Sequence, residues 1–203
     1  MNKINKDEAL KFFCSELKKR EKKPKLLLHA CCAPCLSGCF ERLLDYFSLT
    51  VYFYNPNIDK KEEYEFRLLE VEKFCKNHNL ALIKEDYLKT DFSNAVIGLE
   101  NEPERGKRCD VCFGIRLAKT AKHAKANGYD YFATTLTLSP LKSVDKLNLI
   151  GKQIEELIGA KYLETDFKKR GGYARSIEIS KAENLYRQNY CGCEFSKKTS
   201  KEI

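Results

Sequence analysis

The stretch Lys25-Leu26-Leu27-Leu28-His29-Ala30-Cys31-Cys32-Ala33-Pro34-Cys35 decides how the rest of the chain is read. Three leucines between Lys25 and His29 make a short apolar run with the length of a buried strand. A continuous run, rather than alternation, is the mark of a strand covered on both faces. Further along, Leu49 to Tyr54 reads as a second buried strand. Leu80 to Ile83, Tyr131 to Thr135 and Lys161 to Glu164 supply three more strand candidates. Helical patterns separate them. Tyr64, Leu68, Val71 and Cys75 share one helix face, with Asp59 and Glu62 placed to cap its start. Leu147, Ile150, Ile154 and Leu157 repeat that spacing, and Ser180 with Glu183 reads as a capping box before a last helix through Arg187. Met1 to Lys23 forms a charged leading helix and Lys197 to Ile203 a polar tail.

This alternation predicts one α/β domain over residues 1–203, a Rossmann-like parallel sheet with helices on both faces. Ligands of such sheets bind beyond the carboxyl ends of the strands. His29-Ala30-Cys31-Cys32 follows the first strand, Asn55-Pro56-Asn57 the second and Thr135 to Pro140 a later one, so a metal site is expected at that edge.

Composition narrows the function. Of 203 residues, 43% are hydrophobic and 33% charged, the balance of a globular protein with a core. No run approaches the roughly 18 apolar residues of a membrane span. Met1 to Leu10 is polar with no apolar signal segment, so a cytoplasmic protein is expected. Lys and Arg exceed Asp and Glu by 37 − 29 = 8. That excess suits an anionic partner, nucleic acid above all, or simply a surface of solvated lysines. The ten cysteines fit metal binding or catalysis better than a disulfide framework in a reducing compartment.

The cysteines fall into groups. Cys31, Cys32 and Cys35 contain a C-x-x-C pair, Cys109-Asp110-Val111-Cys112 is a second, and Cys191-Gly192-Cys193 is a tighter third. A C-x-x-C turn aims two sulfurs at one ion, yet the proline inside the first also suits a redox dithiol. Cys191 and Cys193 read equally as a metal clamp or a reversible disulfide, with Gly192 supplying the backbone freedom. Cys14, Cys39 and Cys75 sit on amphipathic helices and read as core. His29 is near a cluster, whereas His78 and His123 read as helix-surface residues. Thiolate-dominated sites select zinc or iron–sulfur. An ATP-dependent tRNA-modifying enzyme would need a glycine- and serine-rich loop where Cys31 to Cys35 stands. A thioredoxin-like dithiol oxidoreductase and a zinc-stabilised, non-catalytic RNA-binding module remain open on the residues alone.

Five motifs in order, His29-Ala30-Cys31-Cys32-Ala33-Pro34-Cys35, Tyr54-Asn55-Pro56-Asn57-Ile58, Arg108-Cys109-Asp110-Val111-Cys112, Thr134 to Pro140 and Tyr186 to Cys193, resemble the QueH type of epoxyqueuosine reductase from about residue 25 to residue 196. The resemblance implies an oxidoreductase that removes the epoxide oxygen of epoxyqueuosine at the wobble position of tRNA as water, in queuosine biosynthesis. It implies a 4Fe-4S cluster with an additional iron ion beside it, no cobalamin, and an unidentified electron donor. On that basis Cys32, Cys109 and Cys112 are expected to hold the cluster and Cys31 and Cys35 the adjacent iron. Cys191 and Cys193 are either further ligands or an electron-relaying dithiol. Asp110 is a candidate for hydrogen bonding or proton transfer to substrate, or an ordinary helix-start carboxylate. Asn55, Asn57, Arg108, Arg116, Arg187 and Tyr190 are candidates for base or phosphate contacts.

Overall fold

A computed structural model describes residues 5–199. In chain order its elements are α1 (Lys6–Leu17), β1 (Lys25–His29), α2 (Ala33–Ser37), α3 (Glu41–Leu44), β2 (Ser48–Phe53), α4 (Lys61–Asn77) and β3 (Ala81–Lys84). There follow α5 (Lys89–Ala95), α6 (Lys107–Ala126), β4 (Tyr131–Thr134), a 3-10 turn (Thr135–Leu138), α7 (Val144–Ile158), α8 (Gly172–Ala182) and α9 (Glu194–Thr199). The strands pair in parallel in the order β3-β2-β1-β4. The expected fifth strand shrinks to one parallel bridge, Phe132 to Tyr162, fixed by Phe132 N–H donating to Lys161 and Leu163 N–H to Phe132, both at 2.9 Å.

The leucine run lies at the centre because its two faces meet two different layers. Leu26 and Leu28 pack into a core with Leu36, Phe47, Val71 and Phe74, whereas Leu27 faces Leu117, Ala121 and Ile154 on the other side. Cys14, Cys39 and Cys75 are buried in the first of these cores. His78 and His123 are half-buried: one ring packs against Phe74 and meets Glu183, the other against Tyr52. The sheet is thus covered on both faces in a single α/β domain.

Five local expectations are corrected. Among the described residues the leading helix runs over Lys6–Leu17 and stops short of Lys23, capped by the Asn5 side chain on Asp7 N–H. The polar tail begins inside α9, and its residues 200–203 lie outside the described ones. Lys60, not Asp59, precedes α4, and the Asp59 carboxylate instead takes the Lys89 ammonium at 2.7 Å. Ser180 and Glu183 do not open a helix. They end α8, with Asn184 in the left-handed region (φ 53°) turning the chain, and the Arg187 guanidinium folds back onto Ser176 and Ser180. On α7 the sheet-facing row is Leu147, Gly151 and Ile154, and Gly151 lies against the Tyr162 ring; Leu157 is 83% exposed.

The contact between α2 and α8 brings the first thiol loop toward the end of the chain. It depends on Gly38, where a Cβ would stand 2.8 Å from the Gly172 carbonyl and 2.9 Å from the Ser176 Cβ. Gly38→Ala is therefore expected to destabilise the fold by about 1–3 kcal/mol through overpacking. Urea unfolding measures this, and an unchanged midpoint would show that the two helices separate at no cost.

Candidate metal and substrate cavity

The parallel sheet sends β1, β2 and β4 toward one edge, and His29 locks their ends together. Its Nε2 lies 3.0 Å from the Tyr54 carbonyl, which can only accept, so Nε2 carries the proton. Nδ1 then accepts from the Thr134 hydroxyl at 3.0 Å, and the same hydroxyl oxygen accepts from Leu136 N–H. Burial, then the nearby Arg116 charge, push the His29 pKa down to about 4.

Just beyond this lock, the chain turns and presents Cys31, with Cys32 at the cap position of α2. The sulfurs of Cys31, Cys32 and Cys35 all lie within 4.8 Å of one another. Hydrogen bonds from Cys32 and Cys35 hold the Cys31 thiol well below its ordinary pKa, with the Lys142 charge adding to the effect. Cys32 is pushed up to about 12, chiefly by its bond to Cys31, and Cys35 rises for the same reason.

A second pair arrives on α6. Arg108 organises its approach: one guanidinium nitrogen donates to the carbonyls of Leu99, Glu100 and Glu102, and the group stacks 4.1 Å from the Phe195 ring centroid. Cys109 accepts from Arg105 N–H at 3.3 Å, and burial pushes Cys112 up to about 11. The third pair comes from the carboxyl-terminal segment. Gly192 has φ 106°, a conformation only glycine takes without strain, and its carbonyl accepts from Asp59 N–H. Arg67 of α4 holds this segment from behind: Nε donates to Glu63, Nη1 to the Cys191 carbonyl at 3.2 Å, and the guanidinium lies over the Tyr190 ring. A hydrogen bond from Cys193, then Lys142 and Arg116, hold Cys191 well below the ordinary thiol value.

All seven of these cysteines line one cavity of about 590 Å³. All ten cysteines of the chain carry free thiols. Asp110, Arg108, Arg116, Arg187 and Tyr190 line the same cavity. Asp110 is paired with Lys146 at 2.8 Å, and Arg187 sits over the Tyr173 ring. Asn55 and Asn57 stand apart. Both are buried away from the cavity lining, and the Asn55 amide donates to the Ala30 carbonyl across the strand ends. Sequence reasoning overlooked Arg67 and Lys142. Arg67 was detectable as a charge set into the apolar face Tyr64-Leu68-Val71 one turn after Glu63, whereas nothing in the sequence around Lys142 marks it.

A family model described as epoxyqueuosine reductase QueH matches residues 26–199. The chain belongs to the QueH family. It is 40% identical over 202 residues to the epoxyqueuosine reductase QueH of Streptococcus pyogenes, covering 97% of this chain and 79% of that protein. The Staphylococcus epidermidis QueH is 41% identical, covering 96% and 85%. Members of the family are named as reductases, so the chain is an oxidoreductase. Among solved structures, the U34-tRNA thiolase NcsA from Methanococcus maripaludis, described with its 4Fe-4S cluster, superposes with a TM-score of 0.55. At 12% identity over 96% of this chain and 72% of that one, this likeness establishes a shared fold.

The buried lock of this QueH protein has a pH signature. Between pH 6.5 and about 4 the unfolded chain binds a proton on His29 that the folded chain does not, so stability falls as pH falls through that window. The loss at pH 5 amounts to about 2 kcal/mol. His29→Gln, which cannot titrate, should shrink the stability difference between pH 7 and pH 5 by that amount. Equal differences in urea unfolding of the two proteins would remove His29 as the cause.

Proposed function

We propose that this chain reduces epoxyqueuosine in tRNA to queuosine in the cytoplasm, without cobalamin, consuming two electrons and two protons and releasing the epoxide oxygen as water. The observation that carries this reading is the meeting of three separated thiol groups in one cavity at the carboxyl edge of the sheet. Thiols in this number fit a metal–sulfur group, because soft sulfur donors select iron–sulfur or zinc. The buried Arg116 and the half-buried Lys142 facing them suit the negative charge such a group carries. Cys32, Cys109 and Cys112 would hold a 4Fe-4S cluster, and Cys31 and Cys35 the additional iron. When bound, such a group supplies electrons and a Lewis-acidic iron for a carbon–oxygen bond.

The chain's own groups do the rest. A base turned out of the anticodon loop enters past Tyr173, Arg187 and Tyr190, whose rings and guanidinium offer stacking surfaces. Phe113, Leu136 and Leu138 form an apolar wall that excludes water from the reacting carbon atoms. Asp110, steadied by Lys146, accepts a hydrogen bond from the substrate at the rim. Cys191 and Cys193 act as a dithiol. Joining as a disulfide they give up two electrons and two protons, the number one epoxide consumes, and an external donor restores them.

Protein purified without oxygen should hold about four sulfides per chain, more iron than sulfide, and broad visible absorption. It should convert epoxyqueuosine tRNA to queuosine tRNA. Zinc alone, with no labile sulfide after reconstitution, would replace this reading with a zinc-stabilised RNA-binding module. Cys109→Ala and Cys112→Ala should each abolish the visible absorption, and intact absorption in both would remove them as ligands. Cys191→Ser and Cys193→Ser should keep iron but lose turnover with the physiological donor; loss of iron instead would make them ligands.

A further inference from the structure

Arg116 occupies α6 one turn beyond Cys112 and is only 1% exposed. Its Nε donates to the Cys112 carbonyl at 3.2 Å, and its plane lies near the Phe113 ring. Its Nη2 is buried and has no hydrogen-bond partner among the described residues. Nor does any carboxylate among them form an ion pair with it. Elsewhere in the molecule, buried arginines are satisfied: Arg67 by Glu63 and two carbonyls, Arg108 by three carbonyls.

A guanidinium taken out of water with an unmatched nitrogen is costly unless negative charge meets it. What faces Arg116 is the cavity: the thiols of Cys112, Cys191, Cys31 and Cys193, with a second cation, Lys142, on the same void. Two cations around one void repel each other until an anion stands between them. A tRNA phosphate is a poor candidate for that anion, because Arg116 is 1% exposed on the inner wall of the cavity while the half-buried Lys142 stands nearer solvent.

We infer that Arg116 is the fixed counter-charge of the anionic metal–thiolate group held in this cavity, a positioning residue that favours its more reduced state. The inference rests on the metal–sulfur reading above. Adding one electron from a chemical reductant such as dithionite makes that group one unit more negative, with no bond formed or broken and no proton required. A permanent buried cation lowers the cost of that added charge.

The test is an anaerobic spectroelectrochemical titration of the reconstituted wild-type protein, Arg116→Lys, Arg116→Gln and Arg116→Met, with iron and sulfide measured on each. The two neutral variants are expected to load the group and to show at least a tenfold lower ratio of reduced to oxidised protein at the wild-type midpoint. That corresponds to a fall of about 59 mV for a one-electron couple. Arg116→Lys should stay near wild type, and Arg116→Gln, which keeps a donor toward the Cys112 carbonyl, carries the test if Arg116→Met fails to fold. Identical midpoints in fully loaded proteins would overturn the inference while leaving the metal–sulfur reading intact. So would an unchanged midpoint accompanied by a raised KM for tRNA, which would make Arg116 an RNA contact. A wild-type protein holding zinc and no chromophore would overturn both.

Discussion

The neutral, fully buried imidazole of His29 is the contact on which the site depends. It joins three strand ends at one point, donating to the Tyr54 carbonyl and accepting from Thr134, and the polypeptide turns directly from it into Cys31. Parallel pairing makes this possible. Because β1, β2 and β4 run the same way, all three deliver their following loops to one edge. A histidine charged at neutral pH could not accept from Thr134, so burial that keeps the ring neutral also keeps the strand ends in register.

The remaining site is assembled by arginines that hold backbone rather than substrate. Arg108 gathers three carbonyls of the segment before α6, and Arg67 reaches from α4 to the carbonyls of Tyr190 and Cys191. Each replaces, with donor groups on a rigid helix, the secondary structure that the segment before α6 and residues 190–191 lack. Arg116 differs from both because its spare nitrogen faces thiols rather than carbonyls.

The sheet was legible in the sequence because its central strands are short apolar runs with thiol or asparagine loops directly behind them. The Lys161 to Glu164 run reads like a strand but pairs through a single bridge, since pairing depends on a neighbour that periodicity does not see. Helix ends were less legible. Ser180 and Glu183 carry the residue types of a start, yet Ser180 donates to the Ser176 carbonyl inside a helix that has nearly ended. The cysteine groups were visible as motifs, and their meeting was not: spacing along the chain carries no record of Gly38 admitting α8 or of Arg67 gripping residues 190 and 191. Asn55 shows the converse, a polar residue beside a proline whose side-chain amide donates to the Ala30 carbonyl within the fold.

The central claim is that thiols from two separate segments, the loop after β1 and the start of α6, hold one metal–sulfur group. Anomalous diffraction at the iron edge, from crystals of the anaerobically reconstituted protein, tests it most directly. The account predicts iron within bonding distance of Cys32, Cys109 and Cys112, with further iron at Cys31 and Cys35. Iron confined to Cys31, Cys32 and Cys35, with Cys109 and Cys112 remote from any metal, would contradict it.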